Sequence, residues 1–196
     1  MPIYEFEGVR PVVDPAAYVH PQAILIGDVI IGPQCFIAPT AVLRGDLGRV
    51  IVGKGSNVQD GCVLHTFAGE DVVIEENTHI GHRAVLHGCT VKRGAIVGMG
   101  AVVMDRAVIG EEAFVGAMAF VKSGMEVPRR TLVTGIPARF VRELEDEEIK
   151  WKDVGTAHYR HLAERYPVAS NEVEPLPKLE ADRQRVPDLG HKPKGV

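Results

Sequence analysis

Only three cysteines occur in the 196 residues, Cys35, Cys62 and Cys89, and no two of them form a C-x-x-C pair. That scatter suggests neither a disulfide framework nor a cysteine zinc site, and buried free thiols are expected; the alternative for Cys89, close to His87, is a metal ligand. Basic residues are also scarce: 22 Lys and Arg against 26 Asp and Glu leave a net charge of -4, and no long basic run exists. Nucleic acid is therefore not expected as a partner. No apolar stretch approaches the length of a bilayer span, and the opening MPIYEFEG lacks the basic-then-apolar order of a leader segment. A soluble, cytoplasmic protein with no membrane partner is expected.

What the chain has in place of these features is a six-residue period. Aliphatic residues recur at Leu25, Ile31, Ile37 and Leu43, and again from Val91 through Val97, Val103, Ile109, Val115, Val121 and Val127. Gly or Ala often follows, as at Gly32, Ala38, Gly81, Gly98, Gly110 and Gly116. A unit this short, with one inward aliphatic and a turn glycine, describes one side of a triangular coil. Three units complete a coil, and strands stack about 5 Å apart. A β-sandwich does not keep such a register over this length. The pattern resembles the left-handed parallel β-helix of the hexapeptide-repeat superfamily; the hand is taken from that resemblance, because parallel crossovers are otherwise right-handed.

The fold expected is mainly β: a lead-in over residues 1–22, a left-handed β-helix over 23–135, a C-terminal helical segment over 136–166 and an extended, proline-rich tail over 167–196. The interval from Val63 to Ile74 is eleven, so a loop near residues 66–71 should stand out beside His65. A shortened step is expected between Lys92 and Ile96. Helix is expected from Glu143 to Tyr166, with Tyr159, Leu162, Ala163 and Tyr166 as one apolar stripe and Pro167 as its stop.

Three histidines are set into the coils. His65 and His87 lie 22 residues apart, which a full coil plus the loop explains, so they should share one side of the prism at strand spacing. His82 falls on another side, too distant to join them within one chain. A neighbouring copy in a three-fold assembly would complete the set, giving a homotrimer with a metal between subunits. Three imidazoles and an open position suit catalytic zinc; iron or cobalt also accept nitrogen ligands.

Arg44-Gly45-Asp46, Asn57-Val58-Gln59-Asp60-Gly61, His65, Gly81-His82 and His87-Gly88 together resemble the γ-class carbonic anhydrase family. The resemblance implies a zinc site of His65, His82 and His87, with Gln59 hydrogen-bonding a metal-bound hydroxide. Arg44 with a carboxylate of Asp46 or Asp60 would then pin adjacent subunits. Leu25-Ile26-Gly27-Asp28-Val29, Leu86-His87-Gly88-Cys89, Trp151-Lys152 and Val173-Glu174-Pro175-Leu176 look like the phenylacetate-degradation branch of hexapeptide proteins and its relative from carnitine metabolism. That branch implies a metal-dependent hydrolase of acyl-CoA thioesters, with Tyr159 lining the pocket. The alternative at the same site is reversible hydration of CO2 to bicarbonate. Against it, Leu47 stands where those enzymes carry a glutamate and the loop near Glu70 is short, so the proton shuttle would fall to His79 or to buffer. Two further alternatives are a hexapeptide acyltransferase, which uses one histidine as base without a metal, and an inert trimeric scaffold.

Overall fold

The computed structural model describes residues 2–187 and forms a left-handed parallel β-helix with one C-terminal helix laid along it. One column of rungs runs Tyr18–Val19, Phe36–Ile37, Asn57–Val58, His79–Ile80, Ile96–Val97, Phe114–Val115 and Thr131–Thr134, each neighbour parallel to the last. The inward residues are the aliphatics of the period: Leu25, Ile31, Ile37, Leu43, Val97, Val103, Ile109 and Val121 are all fully buried. Each such side chain removed from water contributes roughly 1.5–3 kcal/mol, so the stacked row is the main source of cohesion. Cys35, Cys62 and Cys89 belong to the same core as free thiols, and burial pushes them up to about 11, about 11 and about 12. Cys89 is thus an inert core residue at neutral pH.

The glycine that follows the inward aliphatic serves close approach and not turn conformation. A Cβ on Gly98 would stand 2.6 Å from the backbone nitrogen of Ala117 on the next coil, and one on Gly81 2.8 Å from that of Met99. The left-handed backbone falls two residues later, at Arg83 (φ 60), Gly100 (φ 67) and Met118 (φ 59).

The segment expected as a lead-in is already coil. Ile3–Tyr4 pairs with Leu25 and Ile26, and Val12–Val13 with Ile30 and Ile31. Val13, Val19 and Leu25 carry the six-residue period back into it, among prolines that obscure it. At the other end Arg139–Glu143, expected within the helical segment, is a strand antiparallel to Thr131–Thr134.

The loop at residues 66–71 lies where the interval placed it, between the strands Val63–His65 and Val72–Ile74. The shortened step does not lie between Lys92 and Ile96. It lies one corner earlier, where Leu86 and Val91 are five apart and Gly88 takes φ 50. A further insertion breaks the period without a loop: Gly27 pairs with Gly45 but Val29 with Val50, so Asp46 to Arg49 bulge outward.

The helix spans Asp146–Ala169. Asp146, Glu147 and Glu148 in its first turn suit the positive end of the helix dipole, and Glu148 accepts from the Glu145 backbone N–H while pairing with Arg142. Pro167 lies inside it and not beyond it. In the last turn proline removes a single hydrogen bond, and the turn still closes with Ser170 N–H donating to Tyr166 O. The stripe of Tyr159, Leu162, Ala163 and Tyr166 packs on Tyr18, Phe36 and Ala38 of the first rungs. Residues 170–187 carry no regular element; the rest of the expected tail, 188–196, lies outside the described residues. Among the described residues no helix is long and apolar enough to cross a membrane.

Candidate functional site

His65 and His87 stand opposite one another on adjacent rungs. His65 Nδ1 faces His87 Nε2 at 3.3 Å, and each ring is held from behind: His65 Nε2 by Asp46 Oδ1 at 3.0 Å, His87 Nδ1 by Asp105 Oδ1 at 2.5 Å. Asp46 reaches its place because the inserted bulge follows directly on the rung carrying Arg44, whose guanidinium donates to Asp46 Oδ2 at 2.5 Å. Burial works to raise the Asp46 carboxyl, but the hydrogen bonds from Arg44 and His65 outweigh it and hold it below the usual range. Burial, aided by Arg44 and His87, lowers His65 despite the bond to Asp46. Asp105 was missed in the sequence. Its signal was its distance of 18 residues, one coil, from His87.

His82 stands on another corner, where Asp60 Oδ2 lies 2.7 Å from its Nδ1. Arg44 and Asp46 meet within one chain, and Asp60 is engaged by His82. Among the described residues no group of three or more His, Cys, Asp or Glu side chains converges to hold a metal.

His82 opens onto a cleft of about 360 Å³ between the coils and the C-terminal helix, which Gln59, His79, Met99, Trp151 and Tyr159 also line. Gln59, almost fully buried, donates to Asn57 Oδ1 at 3.0 Å and to His79 Nε2 at 2.5 Å, and its carbonyl accepts from the His82 backbone N–H. It braces the two histidines from beneath. Tyr159 stands edge-on to the His79 ring, 5.2 Å between centroids, and against Phe36. Lys152, fully buried, donates to the Asn77 carbonyl, and Arg160 donates to the Asn77 side chain at 2.6 Å. These two bonds seat the helix that forms the cleft's outer wall.

Burial pushes the Tyr159 phenol up to about 12. The unfolded phenol ionises near about 10, so the stability tied to the neutral phenol is complete below pH 10 and is lost as pH rises towards 12. Urea unfolding at pH 9 and pH 11 is expected to show a larger loss in the native chain than in Tyr159→Phe. Equal losses would refute the assignment.

No family model matches the chain. Over 186 residues, 95% of each protein, the sequence is 51% identical to the carnitine operon protein CaiE of Escherichia coli K12. The chain belongs to the CaiE family of hexapeptide-repeat proteins. Two solved structures are also similar. A candidate acetyltransferase from Bacillus cereus shares 35% identity at a TM-score of 0.83, covering 84% of this chain and 95% of that one. A hexapeptide transferase family protein from Anaplasma phagocytophilum shares 39% at 0.81, covering 84% and 98%.

These likenesses correct the functional expectation. Similar structures named as transferases favour acyl transfer over a metal-dependent hydrolase, and neither thioester hydrolysis nor CO2 hydration is retained as the reaction. The physical reason for the error lies in the histidines. Their spacing favours a ligand set over the single base of the acyltransferase alternative, whereas His82 paired with a carboxylate beside a cleft is equally the arrangement of a general base.

Proposed function

We propose that the protein transfers an acyl group from a coenzyme A thioester to an amine or hydroxyl acceptor. The observation that carries this reading is His82, oriented at Nδ1 by Asp60 and placed at the mouth of a largely apolar cleft. With Nδ1–H donated to the carboxylate, Nε2 keeps its lone pair for a substrate proton. As the acceptor nitrogen or oxygen attacks the thioester carbonyl, its proton passes to Nε2. When the tetrahedral adduct collapses, the C–S bond breaks and the imidazolium returns that proton to the departing thiolate. Gln59 is a positioning residue, since it holds the His82 backbone. Tyr159 serves as a neutral wall. The assembly proposed is a homotrimer, closed by three-fold symmetry between copies of this chain.

The test is release of coenzyme A from acyl-CoA with and without a panel of amines and alcohols. Release that depends on the acceptor and yields the acylated product supports the reading. Release that ignores the acceptor removes it.

A second reading concerns the other histidine pair and adds no reaction to the first. With Asp46 and Asp105 accepting the far N–H groups, the facing nitrogens of His65 and His87 both present lone pairs across 3.3 Å. Two lone pairs repel unless a positive charge lies between them, so the donor set fits a divalent cation such as zinc, iron or cobalt. Such an ion would supply charge to hold the imidazoles and, through His82 of a neighbouring subunit, a clamp across a trimer. The two readings compete for His82 Nε2. Elemental analysis of the purified protein separates them: stoichiometric metal lost in both His87→Ala and His82→Ala supports the clamp, and metal-free protein that transfers acyl groups refutes it.

A further inference from the structure

The cleft has a polar end and an apolar end, and the order is set by the coil. Asp60, His82, Met99 and Ala117 occupy one corner on successive coils, as the backbone bonds Arg83 N–H to Asp60 O, Gly100 N–H to His82 O and Met118 N–H to Met99 O show. At the first two levels lie the carboxylate, the imidazole and the Gln59 amide. At the next two the lining changes to Ile96, Val97, Met99 and Ala117, and the helix adds Trp151 and Lys152, the latter with its ammonium bonded to the Asn77 carbonyl.

The floor along this direction is bare backbone. Gly81 and Gly98 line it without side chains, and close stacking keeps Gly98 a glycine, since a Cβ there would stand 2.6–2.7 Å from the Gly116 and Ala117 backbone of the next coil. Two coil steps make it about 10 Å long. Gly155, buried on the facing helix, adds no side chain to narrow it.

Resting on the acyl-transfer reading, we infer that the acyl group this site accepts is an apolar chain longer than acetyl, with its carbonyl at His82 and its tail along Met99 and Trp151 to Ala117. An acetyl group ends at its first methyl and would leave the apolar half of a 360 Å³ cleft in contact with water. A longer chain removes that surface from water, and each buried methylene is worth roughly a fourfold gain in affinity. Ala117 stands exposed at the far end, where the trough opens to solvent, and it sets the usable length because a larger side chain there would fill the trough.

The experiment compares acetyl-, butanoyl-, hexanoyl- and octanoyl-CoA, read both as dissociation constants by calorimetry and as kcat/KM with a fixed acceptor. Affinity is expected to rise by roughly threefold to fourfold per methylene through hexanoyl. In Ala117→Phe the rise should stop near butanoyl, and in Ala117→Gly, where nothing is added, it should persist to octanoyl. Equal affinity across the series, or an unchanged slope in Ala117→Phe with native melting behaviour, overturns the inference. Binding that rises with length while no acceptor is acylated upholds the length rule and refutes the transfer reaction, so the two can fail separately.

Discussion

His82→Ala is expected to lower kcat for acceptor-dependent release of coenzyme A by about 10²–10⁴, the range that a positioned base contributes. KM for the thioester should change little, because the apolar wall that grips the acyl group is untouched. The release can be followed with a thiol reagent, since the three cysteines are buried and their thiols are pushed up to about 11 or 12. Asp60→Asn should cost less: the imidazole stays, but the bond at 2.7 Å that selects its tautomer is weakened. His87→Ala, on another column of the prism, should leave acceptor-dependent release within a few-fold of the native chain. If His87→Ala abolished turnover and His82→Ala did not, the base would have been assigned to the wrong corner.

Leu86→Ala carries the largest expected effect on stability. Leu86 is wholly buried on the rung between Val63–His65 and Val102–Val103, and no neighbour can collapse into its place without breaking the coil spacing. Its truncation should cost about 2–5 kcal/mol. At about 2–4 °C for each kcal/mol in a chain of this size, that is a fall in Tm of roughly 4–20 °C. Val168→Ala, at a residue 82% exposed, should stay within about 0.5 kcal/mol of the native protein. Both need one protein concentration, because assembly contributes to the measured stability. A Leu86→Ala melt indistinguishable from that of Val168→Ala would contradict the stacked-core account.

The two histidine columns show how far spacing alone reaches. A period of six with one inward aliphatic leaves no freedom in where the intervening side chains point. His65 and His87 were therefore legible as neighbours across two adjacent coils, and His82 as a resident of another corner. The loop at 66–71 was legible because its eleven-residue interval breaks the count. The bulge at Asp46 to Arg49 was not, although Leu43 and the next inward aliphatic of the period, Val52, stand nine apart and not six. Missing it hid the route by which Asp46 reaches His65. The helix was placed by its apolar stripe, but its end was misjudged at Pro167, since a proline in a final turn forfeits too little to stop it.

The sequence by itself determined the architecture and the inward core of the coils, because each follows from a local period that the repeats restate. Only the tertiary structure decided the chemistry of the site. Asp105 meets His87 and Asp60 meets His82 through stacking offsets, and insertions elsewhere in the chain shift those offsets. The cleft exists because a helix some 70 residues further along is seated by Lys152 and Arg160 on Asn77. A period specifies neighbours one coil away, whereas a pocket wall contributed by a distant helix depends on packing that no local pattern records.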